Sequence, residues 1–193
     1  MNFPKFNYFF SKEINRRVDL LNKINNKKFN KYFYLLVEAV LQTLLEKKKI
    51  FWCGNGGSAA DCHHFSTELI GRFKRDRQSL PSINLCADTA VVTCISNDFK
   101  FENIFSRQLT ALGNKNDLLI ALSTSGKSKN VLNAINSAKK IKMKTAIFTG
   151  NSHKKLSNII DYPIIINSKK TEIIQEHTYM LCHILCKIVD DAF

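Results

Sequence analysis

Acidic residues are scarce in this 193-residue chain: 16 Asp and Glu stand against 29 Lys and Arg, a formal net charge of +13. An excess of that size can attract nucleic acid, anionic membrane or phosphorylated substrates. The basic pairs Lys139-Lys140, Lys154-Lys155 and Lys169-Lys170 are scattered rather than gathered into one stripe. That spread reads as a solvated basic surface, and no nucleic-acid partner is expected from it. Proline and glycine are sparse too, at 3 and 7 residues. No Pro- or Gly-rich linker, low-complexity segment or internal repeat divides the chain, and its length suits one domain with a proper core. Long apolar runs are also missing. The most apolar helical stretch, "YFYLLVEAVLQTLL", is too short for a bilayer and contains Glu38. "MNFPKFNYFF" has neither the apolar run nor the cleavage site of a secretory signal. A cytoplasmic protein with no membrane partner is expected. None of the six cysteines (Cys53, Cys62, Cys86, Cys94, Cys182, Cys186) belongs to a Cys-x-x-Cys pair. Most lie in apolar runs such as "INLC" and "MLCHILC", as reduced core thiols do.

What is present divides at residue 50. Residues 1–49 carry two amphipathic helical patterns. In "SKEINRRVDLLNKIN", Ile14, Val18, Leu21 and Ile24 recur every three or four residues, and a second pattern runs from Phe29 to Lys47. Both need a partner surface. From 50 to 193, apolar runs rich in Ile, Leu and Val alternate with helical segments: "IFWCG", "PSINLC", "DLLIALS", "TAIFTG" and "YPIIIN". Such runs suit strands buried on both faces of a parallel sheet, with helical crossovers between them. The last segment, Thr171 to Asp191, reads as one long helix. The expected fold is α/β over 1–193, a five-stranded parallel sheet sandwiched by helices. Ligands in such folds bind at the carboxyl ends of strands. The loops after Cys53, Leu122 and Thr149 therefore matter most.

The first of these loops opens "CGNGGSAADCHHFSTE". Gly54-x-Gly56-x-x-Ala59 mimics a dinucleotide fingerprint. That fingerprint also needs an acid at the end of the next strand, and Asp88 comes too late. What remains is a glycine turn that admits a ligand close to the backbone, with Ser58 placed to cap the following helix. On that helix His64 and Glu68 are four apart and share a face, while His63 points elsewhere. The pair suits metal binding or acid–base chemistry. The second loop, "LSTSGKSKNV", ends like a Walker A loop, but Ala121 stands where its first glycine belongs. Its hydroxyls, Ser123, Thr124, Ser125 and Ser128, at a helix start make a phosphate-monoester site. On the last helix Gln175 and His183 are eight apart, about 12 Å along the axis on one side. One metal, two separate sites or a junction of two chains all remain open for that pair.

Together, "GNGGSAADCHHFSTELIGRF", "ISNDFKFENIFSRQL", "LSTSGKSKNV" and "IQEHTYMLCHILC" resemble the phosphoheptose isomerases, also called sedoheptulose 7-phosphate isomerases, of the sugar isomerase (SIS) domain family. Four motifs in the right order make a specific match. The resemblance implies conversion of sedoheptulose 7-phosphate to D-glycero-D-manno-heptose 7-phosphate, the first step towards ADP-heptose for lipopolysaccharide. It implies a homotetramer with inter-subunit sites, the N-terminal helices joining an oligomeric bundle. It implies one zinc ion per subunit, held by His64, Glu68, Gln175 and His183. Ser123, Thr124, Ser125 and Ser128 would hold the phosphate. Asn55, Gly56, Gly57, Glu68 and Gln175 would line the substrate site, with Asn97 and Asp98 near the sugar hydroxyls. Glu68 would act as the base and His183 as its partner. One departure stands out: the family commonly has a His three residues after that Gln, where this chain has Thr178, and His177 precedes it. A one-residue step turns the imidazole by about 100°. The alternative within the same fold is a non-catalytic relative that binds the replication initiator DnaA or senses a phosphosugar. Relatives of the DnaA-binding kind lack the Glu and the final His, and both are present here as Glu68 and His183.

Overall fold

The computed structural model describes residues 2–150 and 159–193. Two helices come first, α1 (Phe3–Ile24) and α2 (Lys27–Leu45). They are followed by β1 (Ile50–Gly54), α3 (Gly57–Ile70), β2 (Ser82–Asn84), α4 (Thr89–Phe99), a 3-10 turn at Phe101–Asn103 and α5 (Ile104–Leu112). The chain ends with β3 (Leu118–Leu122), α6 (Lys129–Lys140), β4 (Lys144–Gly150), β5 (Tyr162–Ile166) and α7 (Thr171–Ala192). All five apolar runs form strands, and every pairing among them is parallel. The sheet order is β2-β1-β3-β4-β5.

Alternation along each strand supplies two cores, because successive side chains leave opposite faces. Ile50 and Trp52 of β1 join Ile120, Phe148 and the helices α2, α3 and α7. Phe51 and Cys53 face the other way, towards Leu119, Ile147 and the helices α4, α5 and α6. All six cysteines are free thiols; Cys53, Cys62, Cys182 and Cys186 are buried, whereas Cys94 is exposed.

Helix α1 begins earlier than its periodicity suggests. The Asn2 side chain accepts from the Lys5 amide, and Pro4 occupies the first turn, where its missing N–H costs nothing. Only Leu20 and Ile24 of this helix are buried. Ile14, Val18 and Leu21 from the expected apolar face are exposed, as are Phe3, Phe6, Phe9 and Phe10. Within one chain, α1 is anchored by its last turn and by Arg17, whose guanidinium donates twice to Glu176 on α7, at 2.6 and 2.7 Å. No helix among the described residues is long and apolar enough to cross a membrane.

Candidate active site

The strand order reverses direction between β1 and β3, where Gly54 lies opposite Leu122. That reversal opens a crevice at the carboxyl ends of these two strands. The glycine turn leaves β1 there and the serine loop leaves β3. Of the three loops singled out from sequence, the one after Thr149 lies outside the described residues beyond Gly150.

Gly56 caps α3 with a positive φ of 56° and no side-chain bond. Ser58 is therefore not the cap expected from sequence: it is already in the first turn and buried. A left-handed φ at the cap position favours glycine, so the backbone itself makes the turn. A Cβ on Gly57 would lie 2.6 Å from the Gln175 side chain. The turn is thus closed by the first turns of α7. Gly57→Ala is expected to displace Gln175 and cut kcat/KM by at least about tenfold, measured with melting temperature as a control. Wild-type turnover in a folded Gly57→Ala protein would show that this contact is dispensable.

The serine loop is built from its own backbone. Gly126, at φ 63°, turns its amide onto the Ser123 carbonyl and hydroxyl, at 3.1 and 3.2 Å. Ser125 accepts from the Lys127 amide, and the Thr124 carbonyl accepts from Gly150. Ser128 stands at the N-cap of α6, yet its hydroxyl makes no cap bond. Neither α3 nor α6 thus has a side-chain cap from its own N-cap residue, and both present the positive ends of their dipoles at the crevice. Asn130 joins the two loops. It exchanges two hydrogen bonds with Asn55, at 2.9 and 2.7 Å, and is 2% exposed. The Asn55 amide is consequently spent on bracing the crevice. Sequence reasoning gave Asn130 no role, because a polar residue at a helix start carries no distinctive signal. Asn97 and Asp98 lie at the exposed end of α4 and bond to each other at 2.8 Å.

Helices α3 and α7 lie side by side. Gln175 donates to Asp61 at 2.9 Å. Further along both helices, His64 Nε2 stands 3.1 Å from His183 Nε2 and 3.5 Å from a Glu68 oxygen. The pairs ascend together, so the helices run in the same direction. Tyr179, one turn from both Gln175 and His183, stacks on His64 with centroids 5.3 Å apart and meets His183 edge-on at 4.6 Å. Phe65 and Phe73 complete an aromatic wall around the His183 ring. The four-residue spacing of Gln175, Tyr179 and His183 was a legible signal for Tyr179. Burial pushes the His183 imidazole below its ordinary pKa; neighbouring His64 adds to this and Glu68 opposes it. Burial raises the Asp61 carboxyl, against the Gln175 hydrogen bond.

Two facing imidazole nitrogens at 3.1 Å need either one shared proton or a cation between them. A tetrahedral zinc with ligands near 2.1 Å separates its ligand atoms by about 3.4 Å. The gaps of 3.1 and 3.5 Å lie near that edge, but both are measured from His64. Gln175, two turns from His183, is engaged with Asp61 instead. Among the described residues of this single chain, no three His, Cys, Asp or Glu side chains come together as a group that could hold a metal ion. His177, for its part, faces inward: it is buried, with Nδ1 2.7 Å from the Ile173 carbonyl.

The SIS domain model matches residues 10–150. A phosphoheptose isomerase of Nitratiruptor sp. is 46% identical over 153 residues, covering 79% of this chain and 82% of the relative. One from Helicobacter pylori is 45% identical over 157 residues, 81% of this chain and 82% of its own length. The solved structure of a phosphoheptose isomerase from Francisella tularensis superposes with a TM-score of 0.87 at 32% identity, covering 99% of this chain and all of that one. The chain belongs to the SIS domain family and, within it, to the phosphoheptose isomerases.

Proposed function

We propose that the chain isomerises sedoheptulose 7-phosphate to D-glycero-D-manno-heptose 7-phosphate, supplying ADP-heptose synthesis for lipopolysaccharide. The observation that carries this reading is the convergence of Glu68 and His183 on His64, between two helices that border a phosphate-type loop.

The hydroxyls of Ser123, Thr124, Ser125 and Ser128, with the α6 N-terminus, hold the phosphate. The glycine turn at Gly56 and Gly57 lets the sugar chain lie along the backbone, with Asn97 and Asp98 available to its hydroxyls. Glu68 removes the proton from C1, and the electron pair moves into an enediolate as the C2 carbonyl oxygen gains a proton. The O1 proton leaves as the C1 aldehyde forms, and Glu68 returns its proton to C2. His183 serves the two oxygens as acid and base. When bound, zinc would stabilise negative charge on those oxygens. His64, Glu68 and His183 are its proposed ligands, and Gln175 would join them only on leaving Asp61. The exposed apolar face of α1 supports a homotetramer, and a second copy's side chains would complete what one chain leaves open.

The decisive experiment is incubation of the purified protein with sedoheptulose 7-phosphate, with the aldose followed by NMR. No turnover, with or without added zinc, would replace the isomerase by a phosphosugar-binding module. Elemental analysis tests the metal: about one zinc per chain is expected in the wild type and little in His64→Ala. Full zinc in His64→Ala would remove His64 from the ligand set.

A further inference from the structure

A buried ion pair joins the loop between α3 and β2 to the end of α7. The Arg77 and Asp190 side chains are 2% and 1% exposed, with Nε 3.5 Å from Oδ1. That separation is long for a hydrogen bond, and neither atom has another partner within the described residues. Both Nη atoms of the guanidinium are hydrogen-bonded. One Nη donates to the Glu68 carbonyl at 2.7 Å; the other donates to the Leu69 and Gln78 carbonyls, each at 2.9 Å. The other Asp190 oxygen accepts from the Lys74 and Arg75 amides, at 3.3 and 3.1 Å. Arg75 in turn donates to the Asp190 and Asp191 carbonyls at the end of α7.

Each half of this arrangement serves one helix of the site. The last carbonyls of α3 have no partner within the helix, and a cation there also meets the negative end of its dipole. Arg77 fills that place at the residue that carries the Glu68 carboxylate. Asp190 belongs to α7, two turns beyond His183 on the same helix. A planar fork that bonds several carbonyls at fixed angles is a task lysine cannot reproduce. We propose that Arg77 and Asp190 form a clasp that sets the distance between the Glu68 and His183 side chains, with Arg77 as a positioning residue for the proton-transfer pair. The inference rests on the isomerase reading of that pair.

Two variants test it. Arg77→Lys keeps the charge opposite Asp190 but loses the fork. Arg77→Met combined with Asp190→Asn removes both charges together, leaving none buried alone, and the new amide can still accept from Lys74 and Arg75. For each folded variant, kcat for sedoheptulose 7-phosphate is expected to fall at least about tenfold with KM within about twofold. The phosphate loop is untouched, so a merely loosened fold would not give that split. Unchanged kcat, or a loss confined to KM, in either folded variant overturns the clasp. Crystal structures of the variants give a readout that needs no turnover. The Glu68–His64 and His64–His183 separations are expected to change, and unchanged separations would overturn the proposal. A wild type that does not turn over sinks the isomerase reading alone and leaves the clasp to be decided by those distances.

Discussion

Glu68→Gln is expected to lower kcat for sedoheptulose 7-phosphate about a thousandfold, the usual range for losing a positioned base. The substitution keeps the shape of the side chain and removes only its ability to take a proton. The Glu68 side chain is 18% exposed and faces His64 from the next turn of α3. It packs beside the imidazole and is not buried in the core, so the melting temperature should shift by no more than a few degrees. The same variant separates two roles that compete. A carboxylate bound tightly to zinc is a weaker base than a free one, yet an amide oxygen can still ligate. Lost rate with retained zinc assigns Glu68 to proton transfer. Lost rate together with lost zinc assigns it to the metal. Near wild-type turnover would take Glu68 out of the mechanism.

The sequence was most informative where one local pattern decides the outcome. The runs Ile50–Gly54 and Leu118–Leu122, flanked on both sides in the sheet, became fully buried strands. The four-residue spacing of His64 and Glu68 put both on one face because helix geometry alone requires it. Legibility failed where the outcome depends on partners distant in the chain. Ser58 has the chemistry of a cap, but the positive φ of Gly56 shifts the helix start and buries the serine. Asn130 looks like any polar residue of a first turn; its role comes from Asn55, on a different strand's loop. Gln175 was grouped with His183 by their shared helix face, but its amide reaches Asp61 instead. Helix α1 shows the converse case. Its periodicity is real, yet most of that apolar face meets nothing within one chain, so a correct pattern still left its partner unnamed.

His183→Gln is the companion expectation, with kcat reduced about a hundredfold to a thousandfold and KM held within about threefold. The ring is held between Tyr179, Phe65 and Phe73, and its Nε2 faces His64 at 3.1 Å. That packing fixes the direction in which a proton can leave. Burial disfavours the imidazolium, which favours the neutral ring, the form that can accept a proton before donating one. Gln matches the reach of the imidazole and can hydrogen-bond to the sugar oxygens, but it cannot carry a proton between them. Binding should therefore survive while the chemical step fails. Because three aromatic rings touch His183, the assay must be read beside a melting curve. A variant that unfolds would reassign the residue to packing. One that is folded and retains more than a tenth of wild-type kcat would remove it from the proton path. The double variant with Glu68→Gln should be slower than the slower single variant by no more than about tenfold, since groups that move one proton together lose their function together.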